Sequence, residues 1–282
     1  KVTQTAAKAV QTEKYETADF SMTIPKGWTV TSGGTNIYHS IRVYDPAEPL
    51  NQMFVLLKAD VLLHSQAGKE AWQQNYSMGN TQAALFAKAA VLDNPSTEGF
   101  FKIFSQYTAF ASEMEPAYSG YAFPRFDNFT VTDRYPSASP MKSSALGDEQ
   151  LRATFTDNGK EGEGLFAASV VDFGSFAISN GNVVGYQLQA VDGGYYMAYN
   201  IVAVTAAKDT FIEWEGVLTD CFKTLQYSDS FVSTTNQASN EKVALAQQIS
   251  QNFNATMDGF MSSWESRNRS QDIMSQKQSD AT

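Results

Sequence analysis

Two histidines, one cysteine and 30 carboxylates are the residues with which this 282-residue chain could attack a bond or hold an ion. His39 falls on the apolar face of an alternating run, Ile37, His39, Ile41 and Val43, where a packed core histidine is expected. His64 ends an apolar stretch and precedes a loop, so it is expected nearer to solvent. A Ser-His-Asp triad needs one of these two, and no Gly-x-Ser-x-Gly elbow supplies the serine. Cys221 lies on the apolar stripe of a helical pattern, whereas a reactive thiolate needs an exposed, electropositive setting. Asp157, Asn158, Gly159, Glu161 and Glu163 crowd oxygen ligands into one stretch without the spacing of an EF-hand loop, and read as a solvated hairpin turn. No Gly-x-x-x-x-Gly-Lys-Ser/Thr loop is present. Glycoside hydrolysis needs only two facing carboxylates, and nothing in the sequence says which two would meet. No catalytic residue, metal site or cofactor is therefore assigned. Tyr118, Tyr121, Phe123, Phe126 and Phe129 form an aromatic run with two readings: a sugar- or peptide-binding surface, or packing of helices onto a sheet.

Composition narrows the partners. The net charge is −10, and the 20 Lys and Arg residues form no basic run. A nucleic-acid binder must neutralise phosphates with such residues, and an anionic membrane attracts the same clusters. Neither partner is expected. The chain is 43% hydrophobic and 18% charged, a balance that favours a folded core over disorder. A lone cysteine forms no intrachain disulfide and builds no cysteine zinc site. No apolar segment approaches the roughly 18 residues that span a bilayer.

The elements that would position these residues follow from periodicity. Phe20–Ile24 and Ile37–Tyr44 alternate as half-buried strands, and Met53–Leu63 is apolar enough for a central one. From Gly68 to Glu115 the pattern turns helical, with Asn94-Pro95 as an expected helix start. Phe100, Phe101, Phe104, Tyr107 and Phe110 follow at helical spacing. A short strand is expected over Asn128–Arg134, and a loop over Ser137–Asp148. Then Glu149–Thr156, Gly164–Ile178, Val183–Val191 and Tyr195–Thr205, separated by Asn-Gly and Asp-Gly signals, predict a four-stranded antiparallel meander. Thr210 and Glu213 are spaced as a capping box. The helix they open carries Phe211, Trp214, Leu218, Cys221 and Leu225 on one stripe. A polar linker, Tyr227–Ser239, leads to a last helix with the stripe Ala246, Ile249, Phe253, Met257, Phe260 and Trp264.

The expected fold is thus α+β, an antiparallel sheet covered by helices. Residues 1–14 form a polar segment, and 15–227 a domain with a helical insertion near 68–118. Residues 228–282 hold the linker and C-terminal helix. Within this frame Phe20-x-Met22-x-Ile24-Pro25-x-Gly27-Trp28 and Trp214-x-x-Val217-Leu218-x-x-Cys221-Phe222-x-x-Leu225 resemble the PsbP-like group, which includes extrinsic photosystem proteins and many bacterial lipoproteins. The resemblance covers roughly residues 15–65 and 149–227 and implies an α/β/α sandwich. The tail Ser275–Ala281 is similar to those of Gram-positive surface lipoproteins.

The function expected is a non-catalytic, extracytoplasmic lipoprotein that binds a small ligand or an envelope protein, touching the membrane only through an N-terminal lipid anchor. The start at Lys1 is read as the point where a leader was removed. Tyr118, Tyr121, Phe123 and Phe126 are the candidate ligand-binding residues. Ile249, Phe253, Met257, Phe260 and Trp264 are the candidate surface for a partner helix. The alternatives are a carboxylate-dependent hydrolase of envelope or dietary polysaccharide and an assembly protein that oligomerises through its last helix.

Overall fold

The computed structural model describes residues 7–238, 251, 253–263 and 265–267. In chain order its strands are β1 (Thr12–Glu16), β2 (Phe20–Pro25), β3 (Thr29–Gly33), β4 (Ser40–Tyr44), β5 (Gln52–Leu63), β6 (Ala90–Val91), β7 (Asp127–Pro136), β8 (Glu149–Asp157), β9 (Lys160–Gly174), β10 (Ala177–Val184), β11 (Gln187–Asp192), β12 (Tyr195–Ala207) and β13 (Gln226–Tyr227). The helices are α1 (Gln66–Ser77), α2 (Ala84–Lys88), α3 (Thr97–Lys102), α4 (Phe104–Met114), α5 (Phe211–Lys223) and α6 (Asp229–Ala238), and residues 253–263 are helical as well.

The fold is α+β, and β5 shows why. Every residue of this strand except Asp60 is buried. A strand without a wet face must be covered on both sides. The main sheet runs β3-β4-β5-β12-β9-β8-β7, with antiparallel neighbours throughout. One face packs Met53, Val55 and Val204 against Phe211, Trp214, Leu218 and Phe222 of α5, and against Phe20 and Met22 of β2. The other packs Phe54, Leu56 and Phe166 against Phe100, Phe101, Phe104 and Tyr107 of the inserted helices. Truncating any of these buried phenylalanines to Ala costs about 3–5 kcal/mol.

Several local expectations need correction. The run from Asn94 does not start its helix at Pro95. Ser96 is the cap, its hydroxyl accepting from Gly99 N–H at 3.0 Å. The helical run breaks at Ile103 into α3 and α4. The capping box at α5 does not form, because the Thr210 hydroxyl turns back to the Ala207 carbonyl. The meander is three strands, β8-β9-β12; the run between β9 and β12 leaves the sheet as a separate hairpin, β10-β11. The linker is no linker. Gln226–Tyr227 pairs with β2, and α6 buries Phe231.

His39 packs where the sequence places it. It is buried among Phe20, Tyr227 and Phe231, with Nδ1 3.3 Å from the Tyr227 hydroxyl. Burial lowers its pKa to about 4, against a small opposing pull from Asp19. A histidine kept neutral by the fold binds a proton more readily when unfolded. Its contribution to stability is therefore complete above the unfolded value near 6.5 and is lost as pH falls toward 4, by about 3 kcal/mol. Urea unfolding at about pH 7 and about pH 4 checks this. His39→Phe should flatten the difference by that amount, and an unchanged pH dependence would contradict the assignment.

Candidate interaction surface

From Phe173 to Val191 the chain carries no charged residue. Within this stretch β10 and β11 pair in register Ala177↔Asp192 to Ser179↔Ala190, and again from Val183↔Leu188 to Val184↔Gln187. Asn180, Gly181 and Asn182 stand opposite Gln189 alone and form a bulge. The signal read as a hairpin turn is therefore an interruption within β10. The reversal is at Gly185-Tyr186, and Gly185 takes the positive φ of 66° that a two-residue hairpin loop needs at its first central position.

The hairpin leans on α1. Asn75 donates to the Ser179 carbonyl at 2.8 Å, Gly181 approaches Gln74, and Trp72 Nε1 donates to the Gly193 carbonyl at 3.0 Å. Beyond that support Val183, Val184 and Leu188 are each 60% or more exposed, and Tyr186 is fully exposed. Val183 and Leu188 are directly opposite and so share a face. Phe173 and Phe176 add two exposed rings at the root, the first stacked on Tyr195 at 4.4 Å and the second edge-on to Trp72. Natural sheets blunt such edges with Lys, Pro or covering loops. No Lys or Pro lies in this hairpin.

The root is fastened by His64, the residue after β5. Its Nε2 lies 2.9 Å from Asp172 and its Nδ1 2.7 Å from Asp192, one carboxylate at the end of β9 and the other at the end of β11. Both ring nitrogens thus lie within hydrogen-bond distance of a carboxylate, and the ring rests on Tyr196 at 4.1 Å. Burial works against the charge on Asp192, but the His64 bond, the Gly194 N–H at 2.8 Å and the Ser175 hydroxyl at 3.1 Å outweigh it and hold its carboxyl below the usual range. Gly194 is needed here: a Cβ would fall 2.2 Å from the Gly174 carbonyl oxygen and 2.8 Å from the His64 ring.

No protein-family model and no curated protein matches this chain.

The candidate residues chosen from sequence lie elsewhere. Tyr118, Tyr121 and Phe126 are buried and Phe123 partly so. They pack the insertion onto the sheet, as in the ring contacts Tyr118–Phe123 at 4.9 Å and Phe126–Phe166 at 5.1 Å. They form no exposed aromatic platform. Phe253, Met257 and Phe260 are buried in the chain's own core against α5, with Phe253 4.9 Å from Phe222, so they are not a bare partner-helix surface. Ala246, Ile249 and Trp264 lie outside the described residues, as does the tail Ser275–Ala281. Cys221 is buried, and burial, with Asp220 nearby, pushes its thiol up to about 11. In the oxygen-rich stretch, Glu163 pairs with Arg152 at 2.8 Å and Glu161 with Lys208 at 3.3 Å.

Removing the clamp should loosen the hairpin and spare the sheet. Charge-assisted hydrogen bonds are worth about 1.5–3 kcal/mol each. His64→Asn should therefore speed amide exchange across Ala177–Val191 about tenfold or more, with β12 amides unchanged. Equal exchange in variant and parent, read by mass spectrometry, would show that His64 does not hold the hairpin.

Proposed function

We propose that this protein is a non-catalytic, extracytoplasmic binding protein that engages an envelope protein through the β10-β11 hairpin. One observation carries the reading: the hairpin, uncharged from Phe173 to Val191, exposes Val183, Val184, Tyr186 and Leu188 while His64 pins its root between Asp172 and Asp192. Exposed apolar side chains grouped this way mark interaction sites, and pinning in advance lowers the entropy lost on binding. The partner surface is uncharged and apolar. Between Phe173 and Val191 a polybasic or acidic partner would find no counter-charge.

The low charge fraction and the single, buried cysteine support an extracytoplasmic setting. The PsbP-like resemblance has support in the meeting of its two signature tryptophans, Trp28 and Trp214, at 5.3 Å. Assembly through the last helix has less support, because Phe253, Met257 and Phe260 are covered by the chain itself.

A photo-cross-linking residue at position 186, in producing cells, tests the reading. One discrete adduct is expected in the envelope fraction, and Leu188→Asp should reduce it at least about tenfold, a loss of roughly 1.4 kcal/mol or more. The absence of an adduct, or equal labelling from the same group at position 208, would refute it.

A further inference from the structure

A cavity of about 190 Å³ opens between β5, α4 and the 3₁₀ turn Asn36–Tyr38. Four rings wall it, those of Tyr38, Tyr107, Phe110 and Tyr118, and two carboxylates, Asp60 and Glu115, line it with them. None of its lining side chains is basic. Asp60 is the one residue of β5 that escapes burial. Its placement has a local cause. Ala59 pairs with Ala198 and Leu62 with Tyr196, so Asp60 and Val61 together oppose Met197. A bulge of this kind re-aims a side chain out of the strand's alternation.

The charges do not balance within this group. The Lys58 ammonium is 3.3 Å from Asp60 Oδ2, near the Tyr38 and Tyr199 rings at 5.9 and 5.3 Å. The Tyr38 hydroxyl donates to the same oxygen at 3.1 Å. Asp60 is thus paired with Lys58, while Glu115, whose Oε1 accepts from the Ala117 N–H at 2.9 Å, brings a second carboxylate to the wall, so the carboxylates here outnumber the lysine by one. Its complement is a monovalent cation. Hard metal ions take six or more oxygen ligands, and the wall here is mostly carbon. Aromatic faces next to a carboxylate instead suit an alkylated ammonium, which is attracted by ring quadrupoles and sheds water easily. The volume is below the roughly 300 Å³ of pockets for drug-sized ligands, so a head group of a few atoms fits.

We infer that this cavity binds a small organic cation, an ammonium group bearing methyl substituents. The site is separate from the hairpin and stands without the partner-binding role. Calorimetry with choline and with its neutral isostere 3,3-dimethylbutan-1-ol tests it on the intact protein. Choline should bind saturably, and the isostere at least about tenfold more weakly. Asp60→Asn and Phe110→Leu should each weaken choline binding by about tenfold or more, with thermal unfolding confirming the fold. Should a variant not fold, the choline-to-isostere ratio on the parent protein still decides. No choline binding, equal binding of the isostere, or displacement of choline by equimolar Ca²⁺ would each overturn the assignment.

Discussion

Strands β5 and β12 cannot face water on either side, and most of the molecule follows from that constraint. The run Met53–Leu57 sends alternate residues into two different cores. Each face therefore demands a cover, and the chain supplies them from different places. The insertion after β5 supplies α3 and α4 for one face. β2, α5 and the helical residues 253–263 supply the other. The last of these is also held by charge. Glu215 of α5 is fully buried, 3.3 Å from Arg152 of β8, and in contact with Arg267. A buried carboxylate stripped of such partners costs about 3–5 kcal/mol, so the end of the described chain is tied to its centre.

How legible this was in the sequence depended on periodicity. The α5 stripe is unambiguous, and Phe211, Trp214, Leu218 and Cys221 are buried as it predicts. The insertion was readable as helix for the same reason. Glu215 was not, since a carboxylate beside an apolar stripe looks like a solvated flank until two arginines from distant positions converge on it. Cap signals failed where a competing bond won. Ser96 outcompeted Asn94 because its extended backbone, φ −153°, places its hydroxyl over Gly99. Thr210 lost its capping role to a bond with Ala207.

The candidate interaction surface was the least legible part. Asn180-Gly181 carries the usual hairpin signal, yet the chain bulges there and turns five residues later. Apolar alternation in β10 and β11 looks like any half-buried strand, because nothing local says that the covering layer stops short of residue 183. His64 was recognised as a residue near solvent, but its partners Asp172 and Asp192 lie more than 100 residues away and meet it only through the β9-β12-β5 register. The aromatic run from Tyr118 had the composition of a binding surface. It became core because it packs beside α3 and α4 on the sheet face that carries Phe54, Phe155 and Phe166, and only Tyr118 of the four chosen residues borders the Asp60 cavity.

The proposed meeting point with a partner is the β10-β11 hairpin, uncharged from Phe173 to Val191. Amide exchange of the protein in intact envelope preparations, compared with the purified chain, tests it most directly. Protection confined to Val183–Leu188 and the adjoining root is the result predicted. Protection on the α5 face or the insertion, with the hairpin exchanging as it does alone, would contradict the account.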